Sequence, residues 1–190
     1  EEVEAMLAYY DLNEHLDEVK KWYDGYLFNN FEIYNPWSLL KYVNDRKDHV
    51  TGFALPYWPN TSSNSIVREM VGEADELAKA DLETLMAGGT IEKPVHEDIT
   101  YGDIHQSQDN LWNFLFFTGY LKKVGERKEG NNLKLEMKIP NIEIATIYEN
   151  SISYWFDQRM KATDRSPLMR ALEEGDCEAA EDFINSQLAD

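Results

Sequence analysis

Cationic residues are scarce in this chain: 18 Lys and Arg stand against 36 Asp and Glu, a formal net charge of −18. So acidic a surface repels phosphate backbones and anionic headgroups, which argues against non-specific binding of nucleic acid or membrane. Cysteine is nearly absent. The single Cys177 excludes an internal disulfide, and its neighbours Asp176 and Glu178 oppose a thiolate, so a cysteine nucleophile is not expected. This usage fits a reducing compartment, and a cytoplasmic location is the expectation. Long apolar runs are missing too. Crossing a bilayer takes ~20 apolar residues, and the strongest stretch, 111–117, is interrupted by Asn113. The chain opens Glu1-Glu2-Val3, without the pattern of a secretory signal and without Met, which reads as a segment of a larger protein.

Catalytic motifs are equally sparse. There is no G-x-x-x-x-G-K-[ST] loop to cradle a triphosphate, and no G-x-G-x-x-G, G-x-S-x-G or H-E-x-x-H. The histidines are His15, His49, His96 and His105, and no cysteine joins the last two, so a zinc site is not expected. His96, Glu97, Asp98, Asp103 and His105 carry oxygen and nitrogen donors, but chance clustering in so acidic a chain makes a polar surface loop the better reading. Glu136-Met137-Lys138, with Asp103 or Asp109 upstream, has the skeleton of a metal-dependent nuclease site. The same residues are fully explained as the wet face of an alternating strand. No catalytic residue, metal or cofactor is therefore expected within the chain.

What is present is enough to build a core: 43% of residues are hydrophobic and 13% aromatic. Val3, Met6, Leu7 and Tyr10 are spaced as one helical face. A second helix is expected from an Asn13 cap through Leu16, Val19 and Tyr23 to Gly25. Residues 27–34 read as a loop with a short extended piece at 31–33. Asn35 and Pro36 then cap and open a third helix, with an apolar face of Trp37, Leu40 and Val43, and Leu39 and Tyr42 beside it. Residues 48–61 look irregular. Helices are expected over 62–73 and 75–87, stopped by Gly88-Gly89, followed by a strand over 90–95.

A helix over 109–118, a strand over 120–127, a turn at 128–132 and an alternating strand over 133–139 follow. A long helix starts after Pro140-Asn141, and two short acidic helices close the chain. The expected fold is mainly α, a helical bundle with a small β-hairpin, winged-helix-like in its second half. The expected division is a lid-like helical segment, 1–88, and a winged-helix-like part with C-terminal helices, 89–190, or one continuous domain. Lys122, Lys123, Arg127 and Lys128, with Lys134 and Lys138 nearby, form the best candidate patch for nucleic acid, with Lys122, Lys123 and Lys128 as the expected contacts, against a solvated hairpin as the plainer reading.

The densest chemistry lies in Trp22-Tyr23-Asp24-Gly25-Tyr26 and Tyr34-Asn35-Pro36-Trp37-Ser38, where aromatics alternate with turn formers. Asp24 suits an Asx-type turn and Gly25 a positive φ. By physics alone this is a rigid, aromatic-packed corner. Together with Tyr57-Trp58-Pro59-Asn60-Thr61-Ser62, the F-F-T-G-Y-L of residues 116–121 and residues 135–143, these motifs resemble the bacterial predicted AAA-ATPase-like family over nearly the whole chain. Asn29 and Pro59 depart from its pattern without removing a catalytic group. The resemblance implies a P-loop ATPase domain before this segment and a PD-(D/E)XK nuclease-like domain after it, with ATP and Mg²⁺ belonging to the intact protein. Those domains are the implied partners. Trp22 to Tyr26, Tyr34 to Ser38, Trp58, Asn60 and Thr61 are then candidate interface residues of a non-catalytic lid or regulatory segment. The alternative is a nucleic-acid adaptor using the winged-helix-like region.

Overall fold

The computed structural model describes residues 1–28, 31–47, 52–58, 65–95, 107–130, 132–162 and 166–188. The chain divides into two compact units, Glu1–Ile152 and Ser153–Asp190. Among the described residues no helix is long and apolar enough to cross a membrane.

Helix α1 (Glu2–Tyr9) buries Leu7, and just beyond it Asp11, with a φ of 57°, turns the chain back. Leu12 drops into the core, and a 3-10 turn (Asn13–His15) leads into α2 (Leu16–Tyr23). Asn13 is therefore not the cap of α2; His15 holds that position and no side chain caps it, because the tight turn is tied by the His15 N–H to the Leu12 carbonyl. Residues 27–34 hold more structure than a loop: β1 (Tyr26–Phe28) pairs antiparallel with β2 (Phe31–Ile33), Tyr26 opposite Ile33.

Helix α3 (Pro36–Arg46) begins as its sequence demands. The Asn35 side chain accepts from the Trp37 and Ser38 N–H groups, and Pro36 fills a position that needs no donor. Its buried face is Leu39, Tyr42 and Val43, rotated from the expected Trp37–Leu40–Val43 face; Trp37 and Leu40 point outward. The rotation follows from Glu18 on α2, which accepts from the Tyr42 hydroxyl at 2.7 Å, Arg46 at 3.0 Å and the Ala54 N–H at 3.2 Å. Val19 and Tyr23 complete this core.

Helices α4 (Ser65–Glu73) and α5 (Glu76–Met86) bury Ile66, Val67, Met70, Leu82 and Leu85. The expected start of α4 at Ser62 lies outside the described residues. Strand β3 (Ile91–Pro94) precedes α6 (Gln108–Phe117), which Ser107 caps. Then come β4 (Lys122–Glu129), β5 (Asn132–Lys138) and α7 (Ile142–Ala162). The expected hairpin becomes a three-stranded antiparallel sheet of order β3-β5-β4, because Ile91 to Pro94 pair with β5 from Met137 to Lys134. Leu135 and Met137 on β5 are buried, as are Trp112, Leu115, Tyr120, Ile144, Ile147 and Tyr148. The fold is mainly α with a small antiparallel β element. In the second unit α8 (Ser166–Glu174) packs against α9 (Cys177–Leu188), with Ala171 buried and Leu172 and Ile184 exposed.

Candidate functional site

The aromatic motifs, far apart in sequence, converge on one buried carboxylate. Glu143 lies in the first turn of α7 and is wholly buried. Its Oε1 accepts from the Ser38 hydroxyl at 2.8 Å, the Tyr57 N–H at 2.8 Å and the Trp58 N–H at 2.9 Å. Oε2 is enclosed and has no hydrogen-bond partner among the described residues. Burial pushes the Glu143 carboxyl above its ordinary pKa, although its three donors pull the other way. Two residues earlier, Asn141 caps α7 by accepting from the Ile144 N–H, and its amide donates to the Asp24 carbonyl at 2.8 Å.

This second contact explains Gly25. Its φ is 106°, and a Cβ there would stand 2.5 Å from the Pro140 carbonyl oxygen. Asp24 Oδ1 accepts from the Gly25 N–H at 2.7 Å, as an Asx-type turn requires. Tyr23 is fully buried and its hydroxyl donates to the Leu55 carbonyl at 2.9 Å. Trp22 is half-buried against the same core. Most of the corner is thus a rigid frame tied to α7 by Asn141 and Glu143.

The rest of it is partly covered, with Trp37 exposed. Tyr26, Trp58 and Tyr120 form a tilted ring series, with centroids 6.1 and 5.9 Å apart. The series passes over Gly119, whose φ is 87° and where a Cβ would meet Trp58 at 3.2 Å and Tyr26 at 3.3 Å. Tyr26 and Trp58 open onto a cleft of about 880 Å³, also lined by Tyr34, Asn35, Pro36, Phe117 and Lys122. Burial and the nearby Asp24 push the Tyr34 phenol up to about 12. Phe31, Ile33, Trp37 and Leu40 are exposed on β2 and α3, with the Lys41 ammonium 5.1 Å from the Trp37 ring.

The basic residues divide. Lys123 pairs with Glu126, Arg127 with Glu92 and Glu129, and Lys134 with Glu129. Lys122 and Lys123 line the cleft, whereas Lys128 is exposed near the hairpin tip. Glu136 accepts from the Thr90 hydroxyl at 2.7 Å. Among the described residues, no three His, Cys, Asp or Glu side chains gather as metal ligands. Asn60, Thr61, Pro59, His49, His96, Glu97, Asp98, Asp103 and His105 lie outside the described residues. Glu143 is the residue that sequence reasoning passed over. A Glu in a first helical turn is ordinary, and only its place at the end of a motif stretch marked it.

No family model matches the chain, and no solved structure matches it. A curated protein of Azotobacter chroococcum mcd 1, described as an uncharacterized protein in the vnfD 5'region, is 27% identical over 128 residues. The match covers 67% of this chain and 22% of that protein, so the chain spans about a fifth of the relative's length.

Proposed function

We propose that this chain is a non-catalytic lid or regulatory segment of an AAA-ATPase-like protein, docking its neighbouring domain through the outer side of the aromatic corner. The observation that carries the reading is the exposure of Phe31, Ile33, Trp37 and Leu40 beside a frame held rigid by Glu143. Apolar side chains on a rigid support are the usual centre of a docking surface, since little entropy is lost when they are covered. The motif resemblance supplies the neighbours: a P-loop ATPase domain, where ATP and Mg²⁺ would bind, and a PD-(D/E)XK nuclease-like domain. The relative, far longer than the matched span, is in keeping with a segment of a larger protein.

Two measurements test this. The purified chain alone is expected to show no ATP turnover; turnover above background in a clean preparation overturns the reading. In a longer protein that includes the ATPase domain, Trp37→Ala with Leu40→Ala is expected to change ATP turnover by roughly threefold or more. Unchanged turnover with an unchanged circular-dichroism spectrum would also count against it.

The nucleic-acid adaptor is the second reading, and Lys122, Lys123 and Lys128 along β4 favour it. It ranks lower because Lys123, Arg127 and Lys134 are already engaged by carboxylates of this chain. Salt-sensitive DNA binding that weakens when Lys122, Lys123 and Lys128 are changed together would raise it to first place.

A further inference from the structure

Leu121, Lys122, Lys123 and Val124 are consecutive, and all four line the cleft. Lys122 and Lys123 open β4 and, as neighbours on a strand, point to opposite faces, so a hollow touched by both lies along the strand's edge. No strand among the described residues pairs with the other side of β4, although β1 lies close to it. The ladder is irregular between Lys123 and Gly125, and Val124, left between paired neighbours, is 43% exposed. A bulge commonly turns an edge away from further pairing. Here the edge is backed by an apolar wall, with Ile33, Trp58 and Phe117 across from it.

Charge adds a second observation. Lys122 stands directly opposite Lys138 across the β4–β5 ladder. Facing like charges destabilise a strand pair. Lys123 and Lys134, by contrast, each pair with a carboxylate, while Lys122 and Lys138 form no ion pair among the described residues. In a chain of net charge −18, Lys122, which lines the cleft and forms no ion pair among the described residues, favours an anionic partner there.

We propose that the cleft takes an extended, acidic and apolar peptide segment of the partner polypeptide, added to the outer edge of β4 as a further strand. Main-chain hydrogen bonds to the edge hold it, an apolar side chain lies against Trp58 and Phe117, and a carboxylate meets Lys122. The cleft volume of about 880 Å³ accommodates a few side chains of such a segment. The inference rests on the docking role above and names the occupant. Single-stranded nucleic acid also stacks on aromatic rings, but it leaves the edge N–H and C=O groups unused and sets phosphates against an acidic surface.

The test is selection of random peptides of about 12 residues on the purified chain. Synthetic copies are then titrated by fluorescence anisotropy. The expected winners alternate apolar residues and carry at least one Asp or Glu. Lys122→Glu is expected to weaken them roughly tenfold or more. Methylating alternate backbone nitrogens of the peptide, which leaves the protein untouched, is expected to abolish binding. Failure to enrich any peptide, winners without carboxylates, or indifference to backbone methylation overturns the proposal. So does competition for the cleft by an oligothymidine strand that binds more tightly than every selected peptide. Leu77→Ala, on the exposed side of α5 and outside the cleft, is expected to leave peptide affinity unchanged; peptide binding is read without ATP, so a failed ATPase test and a failed peptide test remain distinguishable.

Discussion

At the scale of single residues, Glu143 does most to organise the aromatic corner, and its effect has a sign. Three donors from Ser38, Tyr57 and Trp58 depend on one oxygen. Glu143→Ala leaves them without that acceptor and is expected to cost about 3 kcal/mol or more in urea unfolding. Glu143→Gln keeps an acceptor of the same shape and is expected to cost about 1 kcal/mol. Because the folded pKa is raised, the folded state holds the Glu143 proton more tightly than the unfolded chain. Its contribution is full below the ordinary glutamate pKa and is lost as pH rises through the folded value. Glu18 runs the opposite way. Burial raises its pKa, but the Tyr42 hydroxyl, the Ala54 N–H and Arg46 together bring it below the ordinary value. Its contribution is present above the unfolded pKa and is lost as pH falls. Glu143→Gln is therefore expected to remove the decline on the higher-pH side and leave the acid-side loss, as urea midpoints from about pH 4 to about pH 8 will register. An unchanged profile would refute this assignment. Gly25→Ala meets both a positive φ and the Pro140 carbonyl, and a loss of at least about 2 kcal/mol is expected in the same assay.

At the scale of elements, α3 shows how a local signal and a tertiary contact share the work. Its start is legible in Asn35-Pro36, and the cap bonds at 3.1 and 3.4 Å bear the local rule out. Asn35→Ala is expected to lower stability by about 1 kcal/mol, read as a shift in the thermal midpoint, with little change in helix content. A shift within error would mean that Pro36 and packing alone hold this end. The face of α3 was not legible. Leu39, Tyr42 and Val43 compete with Trp37 and Leu40 for burial, and helical spacing accommodates either set. Glu18, contributed by α2, decides between them through Tyr42 and Arg46. The strand β1 was missed for a related reason: Tyr26 to Phe28 is too short to show a period, and β2 supplies the pairing that defines it.

At the scale of the whole molecule, net charge governs behaviour. With −18 on 190 residues, compaction brings like charges together, and their repulsion weakens the folded state. Added salt shortens the screening length from about 20 Å to about 6 Å between roughly 20 and 300 mM. The thermal midpoint is expected to rise by a few degrees over that range in a scanning calorimeter. A fall would mean that ion pairs such as Arg46–Glu18 and Lys134–Glu129 outweigh the repulsion. In so acidic a molecule a cation without an ion pair among the described residues stands out, and Lys122, which lines the cleft beside β4, is one.

The sequence by itself determined the class of fold, most of the helices, the alternating strand β5 and the turn chemistry of Asp24-Gly25 and Asn35-Pro36. These depend on spacing and on conformational preferences of a few neighbouring residues, which a linear reading captures. Only the tertiary structure decided that the stretches holding Ser38 and Tyr57-Trp58 meet at Glu143, that Tyr23 lies inside while Trp37 lies outside, and that the edge of β4 borders a cleft. Those outcomes hang on contacts between residues as far apart as Ser38 and Glu143, and on which of several apolar faces finds a polar partner to close over it. No local period in the chain encodes that choice; it is made when the elements pack.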